Sequence, residues 1–223
     1  NEAATNSKGS ESGSPSPVDK SELTPLGISP RAVDSHKGDF GRVLAIGGSA
    51  GMAGAIGLTG MAALRSGAGL VRAMVPHEIQ TVVSGWSPCL MTVGVDSNNG
   101  QIGTDGGLAI ESQREWADAI AIGPGMGRSG DLNQWVSEVY RDAEEPMVVD
   151  ADALNALAES NARLEAHACS RVLTPHPGEF QRLAGTNSTD RRELEDRAKQ
   201  MATDASIVIV LKGSRTYVTD GNL

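Results

Sequence analysis

Aromatic residues are scarce, 3% of the 223-residue chain, which argues against large aromatic pockets. Cysteine is scarcer still. Cys89 and Cys169 are the two present, and they lie far apart without metal-ligand spacing. That excludes a disulfide scaffold and a cysteine zinc site and fits a reduced, cytoplasmic setting. Both thiols are expected to be buried and structural. Positive charge is also in short supply: 19 Lys and Arg stand against 28 Asp and Glu, a formal charge of −9. A general nucleic-acid or anionic-membrane binder needs a clustered cationic surface, so both classes are excluded and a small partner is expected. No apolar run reaches the roughly 18 residues of a membrane span, and the N-terminus lacks the basic-then-apolar order of a secretory signal. The chain is therefore expected to be soluble. Glycine, by contrast, is abundant at 27 residues. It supplies tight turns and lets the backbone approach a ligand, which suits the handling of phosphate groups.

The length fits one α/β domain. Residues 1–20, NEAATNSKGSESGSPSPVDK, are polar and of low complexity and read as a disordered tail or a linker. The sequence opens on Asn rather than Met, so a processed start and a link to an upstream domain both stay open. From residue 21 to 223, apolar runs alternate with helical patterns. Strands are expected at 42–46, 70–75, 89–95, 118–122, 147–150, 171–174 and 207–211. Helices are expected at 52–66, 107–116, 132–141, 153–158, 177–183 and 191–203. Several strand runs are apolar without a break, as in strands covered on both sides. The expected fold is α/β, a mostly parallel central sheet with helices on both faces. Ligands in such folds bind beyond the carboxyl ends of the strands.

The unusual motifs fall at those ends. Gly47-Gly48-Ser49-Ala50-Gly51-Met52-Ala53-Gly54 follows a strand and opens a helix, where backbone N–H groups and the helix dipole favour an anion. It is neither a Walker A loop nor G-x-G-x-x-G. Glycine recurs at 51, 54, 57 and 60, which suits either ligand approach or close helix-to-sheet packing. Gly125, Gly127 and Gly130 do match G-x-G-x-x-G, with Asp150 ending the next strand. Their mid-chain position and Pro124 favour a glycine turn lining another kind of site over a dinucleotide fingerprint.

In VVDADALN, Asp152 reads as a helix cap. Asp150 stands where a strand-end carboxylate can hold Mg²⁺ through water. Two prolines stiffen Leu173-Thr174-Pro175-His176-Pro177-Gly178-Glu179-Phe180, so His176 and Glu179 project from a fixed turn. Substrate contact and positioning of metal-bound water are the favoured roles; a helix start closed by Glu179 is the structural alternative. In VIVLKGSRT, Lys212 and the turn after it suit nucleotide phosphates, or else form an exposed hairpin turn into TYVTDG.

Taken in order, His36-Lys37-Gly38-Asp39-Phe40-Gly41, GGSAGMAGA, AALRSGAGLV, IGPGMG, VVDADALNAL, LTPHPGEF and VLKGSRTYV resemble the ADP- or ATP-dependent NAD(P)H-hydrate dehydratases of the ribokinase-like fold. The resemblance covers essentially everything after the tail. It implies phosphorylation of the hydroxyl on hydrated NADH or NADPH by ADP or ATP with Mg²⁺, then phosphate elimination. By motif, Ala55, Gly125, Gly127 and His176 would contact the hydrated dinucleotide. Lys212, Gly213, Ser214, Arg215 and Thr216 would hold ADP or ATP, and Glu179, supported by Asp150, would organise Mg²⁺ and its waters. Family members continue to a glycine-rich stretch whose aspartate is the expected base. No such stretch occurs before Leu223, so that aspartate is expected beyond it, with little turnover from this portion alone. The resemblance also implies a homo-oligomer and admits an upstream epimerase domain. A ribokinase-like kinase of a small vitamin-precursor alcohol, a catalytically incomplete nucleotide-binding module and a dinucleotide-fold oxidoreductase remain the rival readings.

Overall fold

Short apolar runs such as RVLAI and AIAI are too brief for helices and form strands, while glycine turns release the chain into helices. In the computed structural model, which describes residues 31–222, the order is as follows. Strand β1 (Arg42–Ile46) leads to helix α1 (Ala53–Ser66), β2 (Leu70–Pro76), α2 (His77–Ser84) and β3 (Leu90–Val95). A small ribbon, β4 (Ser97–Asn98) and β5 (Gln101–Ile102), precedes α3 (Thr104–Arg114), β6 (Ala119–Ile122), α4 (Gly130–Asp142), β7 (Met147–Val149) and α5 (Ala151–Glu159). The chain continues with β8 (Arg171–Leu173), α6 (Pro177–Leu183), α7 (Arg191–Ala205), β9 (Val208–Leu211) and β10 (Tyr217–Thr219). The predicted tail, 1–20, lies outside the described residues.

The main sheet runs β10-β9-β8-β7-β6-β1-β2-β3. Every pairing is parallel except that of β10 with β9, where Tyr217 faces Leu211. Three elements went unforeseen: α2, the β4–β5 ribbon and β10. None carries a long period, and β10 and the ribbon strands are too short to show one. The hairpin alternative for the segment after Lys212 is nonetheless realised in β9 and β10. Among the described residues no helix is long and apolar enough to cross a membrane.

Alternation along each strand divides the sheet into two faces. Leu44, Ile46, Met74, Ile120, Ile122, Met147, Val149, Leu173, Ile209 and Leu211 point into the larger core with α4, α5 and α7. Ala45, Val71, Ala73 and Val75 point the other way, onto Ile56 of α1 and Ile79 and Val83 of α2. On that second face the row continues through register partners Ala121, Val148, Val172 and Val208. There Val148 is 40% exposed, and neither core cluster takes up any of the four.

Arg171 is buried at 1% exposure and faces backbone carbonyls instead of a carboxylate. Its guanidinium donates to the carbonyls of Tyr140, Ala143, Glu145, Cys169 and Ser170 at 2.6–3.3 Å. Tyr140 belongs to the last turn of α4, so the cation satisfies orphan carbonyls at the negative end of that helix. The cysteine expectation needs correction. Cys89 is exposed and Cys169 only partly buried, both free. Cys89 falls in the turn before β3, where its amide bonds the Ser87 hydroxyl, and so stays at the surface.

Candidate active site at the carboxyl edge of the sheet

The chain leaves β1 toward β2 and β3 on one side, then returns to place β6 on the other. Loops after β1 and β6 therefore leave from neighbouring strands where the strand order reverses, the place at which such sheets hold their ligand crevice. Gly48 N–H donates to the Pro124 carbonyl at 2.8 Å, and Gly123 N–H to Ile46 at 3.0 Å. Gly125 has φ +66°, and a Cβ there would stand 2.9 Å from the Ala55 Cβ and 3.0 Å from the Met52 carbonyl. Glycine is thus required by both conformation and space, and two predicted substrate residues, Ala55 and Gly125, meet. In α1 the packing explanation holds for Gly57 against Trp86 and Gly60 against Leu90, whereas Gly51 faces open space.

Gly127, φ +83°, packs against the Gln101 side chain of the ribbon, and the Gly100 carbonyl accepts from Ala50 N–H at 2.8 Å. The ribbon thereby lies over both glycine loops. Gly127 N–H donates to Asp152 Oδ2 at 3.0 Å. This overturns the reading of Asp152 as a helix cap. Asp150 holds the N-cap position of α5 without a side-chain cap bond, and Asp152 lies within the first turn. Between them Ala151 has φ +50°, rare for a residue with a side chain. That sharp bend sends one carboxylate toward β9 and the other toward the β6 loop.

Asp150 Oδ1 accepts from Thr174 Oγ1 at 2.8 Å and from Lys212 Nζ at 2.6 Å. A polar row thus spans the ends of β7, β8 and β9, uniting a predicted metal residue with a predicted nucleotide residue. Lys212 N–H also donates to the Pro175 carbonyl at 2.8 Å. One turn on, His176 caps α6: its Nδ1 accepts from Gly178 and Glu179 N–H at 3.0 and 3.2 Å. Such an Nδ1 places the proton on Nε2, which stands 3.2 Å from Glu179 Oε1. Glu179, 6% exposed, accepts the His176 N–H at 2.8 Å through Oε2. Hence the capping box is real, and it fixes the half-exposed His176 ring.

The turn Lys212–Thr216 between β9 and β10 borders a cleft of about 510 Å³ lined by Pro177, Arg191, Gly213, Ser214 and Arg215. Neither Lys212 nor Thr216 is among its lining residues. A larger cleft, about 600 Å³, is lined by Leu164, Arg197, Met201 and Asp204 among others, and holds no predicted site residue. Two participants were not singled out from sequence. Asn155 is buried, donates to Asp152 Oδ1 at 3.5 Å and accepts from Arg182 at 2.8 Å. Its spacing from Asp152, one helical turn, was the available signal. The other is Arg191, remote in sequence from the turn it contacts.

Parallel strands that end in glycine loops and in the polar row of Asp150, Thr174 and Lys212 place the fold in the ribokinase-like class. A ribokinase-like superfamily protein from Enterococcus faecalis superposes with a TM-score of 0.67 at 27% identity, covering 86% of this chain and 64% of that one. The ADP/ATP-dependent NAD(P)H-hydrate dehydratase of Bacillus subtilis, co-crystallised with ATP/Mg²⁺, gives 0.69 at 29%, covering 87% and 66%. A bifunctional NAD(P)H-hydrate repair enzyme of Moorella thermoacetica is 41% identical over 191 residues, 84% of this chain and 36% of that protein. With residues 43–222 matching the family model, the chain belongs to the NAD(P)H-hydrate dehydratase family. It spans about a third of the length of the curated relatives it matches.

Proposed function

We propose that the full-length protein dehydrates hydrated NADH or NADPH, using ADP or ATP to phosphorylate the ring hydroxyl so that phosphate can depart. Hydroxide is a poor leaving group and phosphate a good one, so the enzyme needs two subsites set side by side. The crevice of Ala55 and Gly125 would take the hydrated dinucleotide, with Gly127 and His176 at its margin. The turn of Lys212, Gly213, Ser214, Arg215 and Thr216 would take the nucleotide beside the 510 Å³ cleft. The observation that carries this reading is the row Asp150–Thr174–Lys212, which joins the nucleotide turn to the strand ends next to the crevice. A cation already placed there can meet phosphate oxygens.

Asp150 and Glu179, after β7 and β8, are oxygen donors suited to a hard cation and number no more than two. That pattern fits Mg²⁺, which takes one or two carboxylates and fills its remaining positions with water and phosphate oxygens. When bound, the ion supplies charge neutralisation on the phosphates. His176, its ring held at Nδ1 by the Gly178 and Glu179 amides, would offer a ring edge to the substrate without first losing rotamer freedom. Each carboxylate in the described site is engaged: Asp150 by Lys212, Asp152 by Gly127, Glu179 by His176. We assign the base for the attacking hydroxyl to none of them; the family resemblance implies an aspartate in a glycine-rich stretch not found within residues 31–222. The relatives named bifunctional are about three times as long as the matched region, which is consistent with a second activity elsewhere in the protein; the family resemblance admits an epimerase there.

The deciding experiment supplies the full-length protein with hydrated NADPH, Mg²⁺ and ADP or ATP and follows dihydronicotinamide absorbance. Nucleotide-dependent recovery is expected. A phosphorylated small alcohol as product, with no recovery, would replace this reading with that of a vitamin-precursor kinase.

A further inference from the structure

Arg191 opens α7, yet its side chain reaches back across the end of β9. Nη1 donates to the Lys212 carbonyl at 3.2 Å, and Nη2 to the Leu211 and Arg215 carbonyls at 3.2 and 3.0 Å. Nε donates to Glu195 Oε1 at 2.7 Å, one helical turn away. A guanidinium has five N–H donors, and these bonds commit most of them to the protein. Little capacity remains for a ligand, although Arg191 borders the cleft. The carbonyls it gathers come from both ends of the turn, so the fork fixes the curvature of the loop. Gly213 is fitted to this arrangement, since a Cβ there would lie 3.1 Å from Nη1 and 3.3 Å from the Arg215 carbonyl. On the opposite side the same turn is tied by Lys212 N–H to Pro175 and Lys212 Nζ to Asp150.

We infer that Arg191 is a positioning residue for the nucleotide: it turns the carbonyls of residues 211, 212 and 215 inward and thereby sets the loop that receives the phosphates. The inference rests on the nucleotide reading of Lys212–Thr216. Carbonyls left unpaired beside an incoming phosphate would repel it, and a loop free to reorient would lose entropy on binding. An ammonium cannot reproduce a planar fork that spans three acceptors, so lysine is no conservative replacement here.

The test uses the full protein as wild type, Arg191→Lys, Arg191→Gln and, as control, the exposed neighbour Arg192→Lys. Calorimetry measures Mg-ATP, Mg-ADP and NADPH affinity, and hydrogen exchange reads the amides of 212–216 without ligand. Both Arg191 variants should weaken nucleotide binding by roughly tenfold or more, with exchange accelerated in that loop, NADPH affinity unchanged and the control like wild type. Wild-type nucleotide affinity and loop protection in Arg191→Lys would overturn the inference alone. Equal loss of both ligands would overturn it in favour of a general structural role. A wild type that binds no nucleotide would overturn the underlying reading as well, a result distinct from the other two. Should the Arg191 variants fail to fold, Glu195→Ala, which removes the acceptor of the Arg191 Nε–H and leaves the guanidinium in place, should raise the nucleotide Kd in the same direction by less; no rise would overturn the inference.

Discussion

Lys212 is bound to a carboxylate before any phosphate arrives, and that fact shapes what its removal should do. Its side chain is 40% exposed and that of Asp150 32%, so the pair adds only about 0.2–1 kcal/mol to stability. Lys212→Met is therefore expected to melt close to wild type while losing nucleotide affinity roughly 10- to 100-fold, read by calorimetry with Mg-ATP. Tyr140 makes the opposite case, a residue important to the fold and absent from the site. Its hydroxyl donates to the Leu164 carbonyl at 2.7 Å, and burial pushes its pKa up. Since the folded pKa lies above the unfolded one, its contribution is complete below about pH 10 and is lost as pH rises toward the folded value. Melting temperature should fall between about pH 9.5 and 11, with a shallower slope in Tyr140→Phe. Equal slopes would remove Tyr140 as the cause. At this scale prolines, glycines or a strand end mark His176, Glu179, Asp150 and Lys212 as candidates in the sequence. Arg191 is not so marked, because the carbonyls it holds lie in another segment, and Asn155 is marked only by its one-turn spacing from Asp152.

Elements were legible where an apolar run and a glycine or proline boundary coincide, as at β1, β6 and α6. They were not where the packing partner decides: α2 forms because Ile79 and Val83 find Ala73 and Val75, a contact no local pattern declares. The cap assigned to Asp152 failed for a related reason. The left-handed turn at Ala151 starts α5 two residues earlier than its periodicity suggests. The β1 and β6 loops give the sharpest prediction for an element. Gly125→Ala meets both a positive φ and the Ala55 and Met52 contacts, so a cost of about 1–3 kcal/mol is expected. Because Ala55 moves with it, dinucleotide affinity should fall while Mg-ATP affinity holds. Equal losses for both ligands would show that the crevice and the lysine turn are not separate subsites.

For the molecule as a whole, apolar strand runs announced a parallel sheet but could not say how each face is covered. Alternating core and second-face residues on β7, Met147 and Val149 against Val148, differ little in type, so only burial separates them. The strand order, by contrast, sets the two proposed subsites apart: β1 and β6 lead into Ala55 and Gly125, β9 leads into the nucleotide turn, and β7 with Asp150 and β8 with His176 lie between. If each subsite binds its own ligand only in the folded state, each ligand must raise the unfolding free energy by its own occupancy. At a hundredfold excess over Kd the gain is about 2.7 kcal/mol, or roughly 5–11 °C for a domain of this size. Mg-ATP and NADPH should thus each raise the melting temperature, and together by more than either. At the same ligand concentrations Lys212→Met should cut the Mg-ATP shift to about half or less and keep that of NADPH, and Gly125→Ala should cut the NADPH shift and keep that of Mg-ATP. If one substitution erased both shifts, the two ligands would share one site, and the side-by-side arrangement that phosphoryl transfer requires would have to be abandoned.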